Sequence, residues 1–139
     1  MDELLYNAIK NSIQKGKLSL KDLNCFFIVD KELALSAVKT KPEQLEFVSE
    51  DFKNDKEIVL NAVQKLGKSL TYASEKLKTD KEIVLAAVKD DGAALKYVSE
   101  EMKNDKEVVL TAVQNDGSAL FFASERLKND REIVLAAVQ

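Results

Sequence analysis

Apolar residues along this chain recur in two alternating textures. In the stretch DKEIVLAAVKDDG from Asp80, projection at 100° per residue spreads Ile83, Val84, Leu85, Ala87 and Val88 over roughly half of a helix circumference, leaving Glu82, Ala86 and Lys89 as a narrow outer stripe. That pattern predicts a helix sandwiched between neighbours. The stretch SLTYASEKLK at 69–78 carries a thinner stripe of Leu70, Ala73 and Leu77, extended by Tyr72, with Thr71, Glu75 and Lys78 opposite. It predicts a second helix that covers the first and faces solvent.

The two textures alternate with a fixed period. Rows of 25 residues cut from Asp30 read DKELALSAVKTKPEQLEFVSEDFKN, DKEIVLNAVQKLGKSLTYASEKLKT, DKEIVLAAVKDDGAALKYVSEEMKN and DKEVVLTAVQNDGSALFFASERLKN, followed by the half row DREIVLAAVQ. Rows three and four are identical at 15 of 25 positions, which makes the period a true repeat. A repeat of this length implies a solenoid, in which each unit buries its apolar face on its neighbours. The expected fold is an all-α solenoid of short two-helix repeats.

Punctuation divides each row. Asp30, Asp55, Asp80, Asp105 and Asp130 are placed to cap the first helix, and Glu32, Glu57, Glu82, Glu107 and Glu132 set negative charge in its first turn. Gly67, Gly92 and Gly117 are expected to end that helix in a left-handed conformation, with Pro42 making the break in row one. The small column Ala37, Ala62, Ala87, Ala112 and Ala137 suits helices stacked ~8 to 10 Å apart. Residues 1–29 keep the phase faintly, through Leu20, and read as a divergent N-terminal helical cap. Residues 30–139 read as four repeats plus a terminal half repeat, in one continuous domain. The half row shows no polar cap, which leads to the expectation of end-to-end self-association or of a chain cut from a longer array.

The string D-[KR]-E-[IV]-V-L-x-A-V, then a Gly turn, then A-L-x-[FY]-[AV]-S-E-x-[LM]-K, resembles the bacterial tandem helical repeat family known as domain of unknown function 4116. The resemblance runs from Asp30 to Gln139 and departs from the pattern at Leu33, Ala34 and Pro42. It implies a small helical repeat without an assigned activity, and it carries no catalytic residues.

Composition narrows the function classes. Twenty-one basic against 24 acidic residues give a net charge of −3, which points away from a phosphate backbone as partner. The single cysteine, Cys25, beside Phe26 and Phe27, reads as a buried structural thiol rather than a nucleophile. Charged residues within the first 13 positions are unlike a secretory leader, and no apolar run reaches the length of a membrane span. The expected compartment is the cytosol, of the producing cell or of a host into which the protein is delivered.

Catalysis finds little material. There is no histidine, so most nucleophile and base arrangements, and transition-metal sites, lack their usual donor. No metal or cofactor is expected. Glu50, Glu75, Glu100 and Glu125 could imitate an acid pair, but each lies three residues before Lys53, Lys78, Lys103 or Lys128, the spacing of surface ion pairs. Ser49, Ser74, Ser99 and Ser124 recur at the edge of the buried stripe, where a hydroxyl can bond a backbone carbonyl.

What varies from row to row is the exposed surface. The outer stripe runs Asn61, Ala86, Thr111 and Ala136, flanked by Gln64, Lys89, Gln114 and Gln139, while the cover helices vary through Glu46, Thr71, Lys96 and Phe121. Phe121 stands at an otherwise polar position, and Leu66 stands where later rows have Asp91 and Asp116. Phe121, Leu66, Asn61, Gln64, Lys89, Thr111 and Gln114 are therefore the candidate partner-binding surface. The expected function is a non-catalytic protein–protein interaction scaffold with a protein partner of unknown identity. The alternative is a small phage-type inhibitor, an anti-CRISPR or other anti-defence protein, that binds and occludes.

Overall fold

The structure, a computed structural model, describes residues 3–22 and 30–139; Cys25 lies outside the described residues. Each row starts on its aspartate. Asp30, Asp55, Asp80, Asp105 and Asp130 take extended backbone, and each carboxylate accepts the N–H three residues on at 3.0 to 3.3 Å. These bonds satisfy first-turn donors that a helix cannot pair internally. The long helices that follow are α2 (Lys31–Thr40), α3 (Lys56–Lys65), α4 (Lys81–Asp90), α5 (Lys106–Asn115) and α6 (Arg131–Ala137), preceded by α1 (Glu3–Gln14). They stack side by side in chain order to form one layer of an all-α solenoid.

The second half of each row departs from the single cover helix expected. It begins as a 3-10 helix, at Pro42–Phe47, Gly67–Tyr72, Gly92–Tyr97 and Gly117–Phe122. The chain then opens into extended backbone at Val48, Ala73, Val98 and Ala123. A separate single turn follows at Glu50–Lys53, Leu77–Thr79, Glu100–Lys103 and Glu125–Lys128. The serines cause the interruption. Ser49, Ser74, Ser99 and Ser124 accept with their hydroxyls from the N–H three residues on, at 3.3 to 3.4 Å, so they are caps. The backbone N–H groups of Ser74, Ser99 and Ser124 also reach the carbonyls of Lys53, Lys78 and Lys103 in the preceding row, at 2.9, 3.2 and 3.0 Å. Leu70, Ala73 and Leu77 are buried as expected, but on two short segments rather than one helix.

The row glycines also do different work from that expected. Gly16, which closes α1, has the one left-handed backbone among the described residues (φ 71°). Its N–H bonds the Ile13 carbonyl and that of Lys17 the Ser12 carbonyl, both at 2.9 Å, a Schellman closure. In the rows, the chain turns instead at the residue before the glycine: Lys41, Leu66, Asp91 and Asp116 are extended, with φ between −138 and −147°. The glycines are required by proximity. A Cβ on Gly67 would lie 2.2 Å from the carbonyl oxygen of Ala87, one on Gly92 2.4 Å from that of Ala112, and one on Gly117 2.1 Å from that of Ala137. Each row's glycine thus packs on the backbone at the next row's alanine column.

The core lies between the layer of long helices and the layer of 3-10 helices. Ile58, Val59, Ala62 and Val63 of α3, with their equivalents in α4 and α5, meet Leu45, Leu70 and Leu95 across it, all at 2% exposure or less. The N-terminal segment joins in the same register. Ile13 packs with α2's residues, Leu20 is fully buried, and the side-chain carbonyl of buried Gln44 accepts the Leu20 N–H.

Candidate partner-binding surface

The outward side of the long helices is wider than the narrow polar stripe expected, because the leucine at its edge is not covered. Leu35, Leu60, Leu85 and Leu110 are half-buried, and Leu135 is exposed. Between α3 and α4 this leaves an open groove of ≈ 550 Å³, walled by Leu60 and Leu85 and floored at Ala86, with Gln64, Lys89 and Glu82 around it. Between α1 and α2 a second groove of ≈ 400 Å³ is lined by Leu35, Ser36, Lys10, Gln14, Glu32 and Lys39.

This surface brings some of the expected residues together and separates others. Gln64 and Lys89 both line the first groove. Asn61 and Thr111 lie on the same side but are half-buried, and their polar ends bond back to their own helices, Asn61 Nδ2 to the Glu57 carbonyl and Thr111 Oγ1 to the Glu107 carbonyl, each at 2.8 Å. Gln114 is exposed at the register of Gln64 and Lys89. Phe121 belongs to the 3-10 layer instead. It is 76% exposed, meets Phe122 edge to face at a centroid distance of 5.3 Å, and has the Lys128 ammonium 5.4 Å from its ring centre. Leu66 is half-buried at a corner, so the exposed anchor expected there is a partly packed side chain. At the same corner Asp91 and Asp116 accept from the N–H groups of Ala93 and Ser118, a cap that leucine cannot supply.

Two ionic arrays explain the charge columns. Glu50, Glu75, Glu100 and Glu125 pair with the lysines three residues on at 3.0 to 3.3 Å, as the spacing predicts. The second array was not visible in any one row. Lys31 reaches forward to Asp55 and Glu57, both at 3.0 Å, and Lys56, Lys81 and Lys106 do the same to the Asp and Glu of their next rows at 2.6 to 3.3 Å. Hydrogen bonds to the Glu and Asp raise all four ammonium pKa values. Partial burial pushes Asp55 and Asp105 up, but the facing lysine and the helix N–H groups outweigh it and hold both carboxyls below the ordinary range. At the N-terminal end Lys10 pairs with Glu32, and the Tyr6 hydroxyl lies 3.0 Å from Asp30 and 3.1 Å from Glu32. Burial and these two carboxylates hold the phenol well above its usual range. The constant D-[KR]-E string carried the signal for the ladder, but only the stacking shows that its cation and its acids serve adjacent rows.

A third set of cross-row contacts tracks the sequence closely. The Gly67 N–H donates to Asp90 Oδ2 at 2.7 Å. The Gly92 N–H donates to Asn115 Oδ1 at 2.7 Å, and Asn115 Nδ2 donates to the Lys89 carbonyl at 3.1 Å. In the first row Pro42 has no N–H, and the residue in that register, Lys65, donates to the Lys39 carbonyl. Donors and acceptors are matched at every one of these junctions.

Among the described residues, no group of three or more His, Cys, Asp or Glu side chains is placed to hold a metal ion, and no helix is long and apolar enough to cross a membrane. A family model described as a domain of unknown function, DUF4116, matches residues 30–78, 80–124 and 105–139. No curated protein and no solved structure matches the chain.

Proposed function

The chain belongs to the DUF4116 repeat family, and from that premise we propose that it is a non-catalytic protein-binding scaffold that presents the outward side of its long helices to a protein partner. One contrast carries the reading: the inward column Ala37, Ala62, Ala87 and Ala112 is invariant and fully buried, while the adjacent outward column changes through Ser36, Asn61, Ala86 and Thr111. Packing explains the first column. A recognition surface explains the second, because specific affinity resides in side chains that the fold does not require.

The scaffold works by holding or occluding its partner in the cytosol, without turnover. The test is affinity capture from the native cell with the intact protein as bait, repeated with Gln64→Glu/Lys89→Glu. Partners lost with the double variant and retained by the native chain support the reading; partners retained equally by both would reject this surface. An enzyme that is captured and silenced would recast the same contact as inhibition. Leu135 and Val138, three residues apart and 50% and 75% exposed, form a second apolar area that suits self-association through α6. Light scattering tests it: a monomer at tens of micromolar would reject self-association.

A further inference from the structure

Two Asp–Gly sequences stand at the same corner of consecutive rows, Asp91–Gly92 and Asp116–Gly117. An aspartate before a glycine is open to internal attack, in which the glycine nitrogen closes a five-membered ring on the aspartate Cγ, because glycine has no Cβ to hinder the approach. Local geometry does not separate the two sites. Asp91 and Asp116 are both half-buried and extended, at φ −143° and ψ 105° against φ −146° and ψ 107°. Both carboxylates accept the N–H two residues on at 3.0 Å, and Asp116 Oδ1 accepts the Ser118 hydroxyl as well.

Packing between rows does separate them. The Gly92 N–H donates to Asn115 Oδ1 at 2.7 Å, and the buried glycine packs on the carbonyl of fully buried Ala112. Turning the Asp91–Gly92 peptide so that its nitrogen meets Asp91 Cγ breaks that bond, and the hydrogen that must leave is the one Asn115 holds. The Gly117 N–H makes no hydrogen bond among the described residues. Gly117 is only half-buried, as is Ala137, on whose carbonyl it packs. A corner with fewer buried contacts opens at lower cost, so the attack meets less resistance here.

We propose that Asp116–Gly117 is a site of spontaneous isoaspartate formation, and that the Asn115 carboxamide protects Asp91–Gly92 from the same reaction. The Gly117 nitrogen bonds to Asp116 Cγ while one C–O bond of the carboxylate breaks, and that oxygen leaves as water with the amide hydrogen and one proton from solvent. Water then opens the cyclic imide. Addition at Cγ restores Asp116, whereas addition at the other carbonyl routes the main chain through Cβ and Cγ, with no net change in mass. The isoaspartyl form lengthens the main chain by one methylene between α5 and the 3-10 helix Gly117–Phe122. Its free carboxylate is then the one on Cα, so the Ser118 N–H and hydroxyl lose their present acceptor. The modification therefore loosens the corner at which row four meets α6.

The test is to age the intact protein at neutral pH and physiological temperature, digest it, and separate isoaspartyl from aspartyl peptides by chromatography with mass spectrometry. Synthetic peptides spanning residues 86–96 and 111–121, aged alongside, give the rate of each sequence without the fold. Relative to its own peptide, Asp116 should isomerise at least fivefold faster than Asp91. Asn115→Ala removes the acceptor of the Gly92 N–H and should raise isomerisation at Asp91 at least fivefold, with helical CD unchanged. Asn115→Asp keeps an acceptor of the kind that Asp90 offers Gly67, and should leave Asp91 protected. If the alanine variant unfolds, the aspartate variant and the native chain still carry the comparison. Equal relative rates at the two sites, or no isoaspartate at Asp116 while its peptide reacts, would overturn the assignment. An Asp91 that stays inert in a folded Asn115→Ala protein, or that reacts as fast in Asn115→Asp, would overturn the protective role of the bond.

Discussion

The junction between rows one and two and the junction between rows two and three occupy the same register and solve it with opposite chemistry. At the later junction a glycine brings its N–H to a carboxylate, Asp90, and lies so close to the Ala87 carbonyl that no side chain fits. At the earlier one Pro42 offers no N–H and carries a ring, and Lys65 donates to a carbonyl instead of accepting. The backbone at the corner is nearly the same in both, with φ −147° at Leu66 and −138° at Lys41. The difference teaches that this fold requires matched donors and acceptors across the stack rather than any one residue at the turn.

Substitutions can break that comparison. The largest effect is expected from Gly92→Ala, whose Cβ would meet the Ala112 oxygen at 2.4 Å and the Asp116 backbone nitrogen at 3.1 Å. Because helix backbone cannot yield as a flexible side chain does, chemical denaturation should show a loss of ~1 to 3 kcal/mol. A left-handed glycine would have been harmed chiefly by backbone strain, so a crystal structure of the variant showing separated rows would identify packing as the cause. Next comes Asp90→Ala, which leaves the Gly67 N–H without its charged acceptor and should cost about 1 to 2 kcal/mol. Lys65→Ala, at the proline junction, removes an exposed donor and orphans no N–H, so it should cost well under half as much. Equal losses in the two variants would end the distinction between the junctions.

The cation ladder spans both kinds of junction, and pH tests it as a whole. Asp55 and Asp105 are held below their ordinary range, so their contribution is complete above about pH 4, the unfolded carboxylate value, and is lost as pH falls through the lowered folded values. The ladder lysines are raised, so theirs is complete below about pH 10 and is lost as pH rises through the raised values. Thermal melts should give a flat Tm between about pH 5 and 9 that falls on both sides. The smallest effect is a gain: Leu66→Asp would supply the corner cap seen at Asp91 and should add about 0.5 kcal/mol.

Much of this organisation was legible in the chain. The Asp caps, the period, the inward columns and the three-residue Glu–Lys pairs follow from local spacing, and each stands as the spacing predicts. The cover helix was misread because Leu70, Ala73 and Leu77 keep helical spacing even when Ser74 restarts the chain between them. A serine three residues before a buried Leu or Met was the signal of a cap. The row glycines were misread because a glycine before a new segment serves a left-handed turn and a close approach equally well, and only the neighbouring row decides. The candidate surface was read in part. Gln64 and Lys89 do share a groove, but its wall Leu85 falls on the covered half in the helical projection, since projection of one helix shows its own faces and not how far its neighbour reaches over them.

The matched junctions also restrict how such an array can grow by duplication of its own coding unit. A tandem copy of row three would set Gly92 against a second Asp90, an acceptor for its N–H, and a copy of row four would set Gly117 against a second Asn115. A tandem copy of row two would set the Gly67 N–H against a second Lys65, donor facing donor. Lengthening is therefore neutral from the later rows and penalised from the second, which must stay behind its proline.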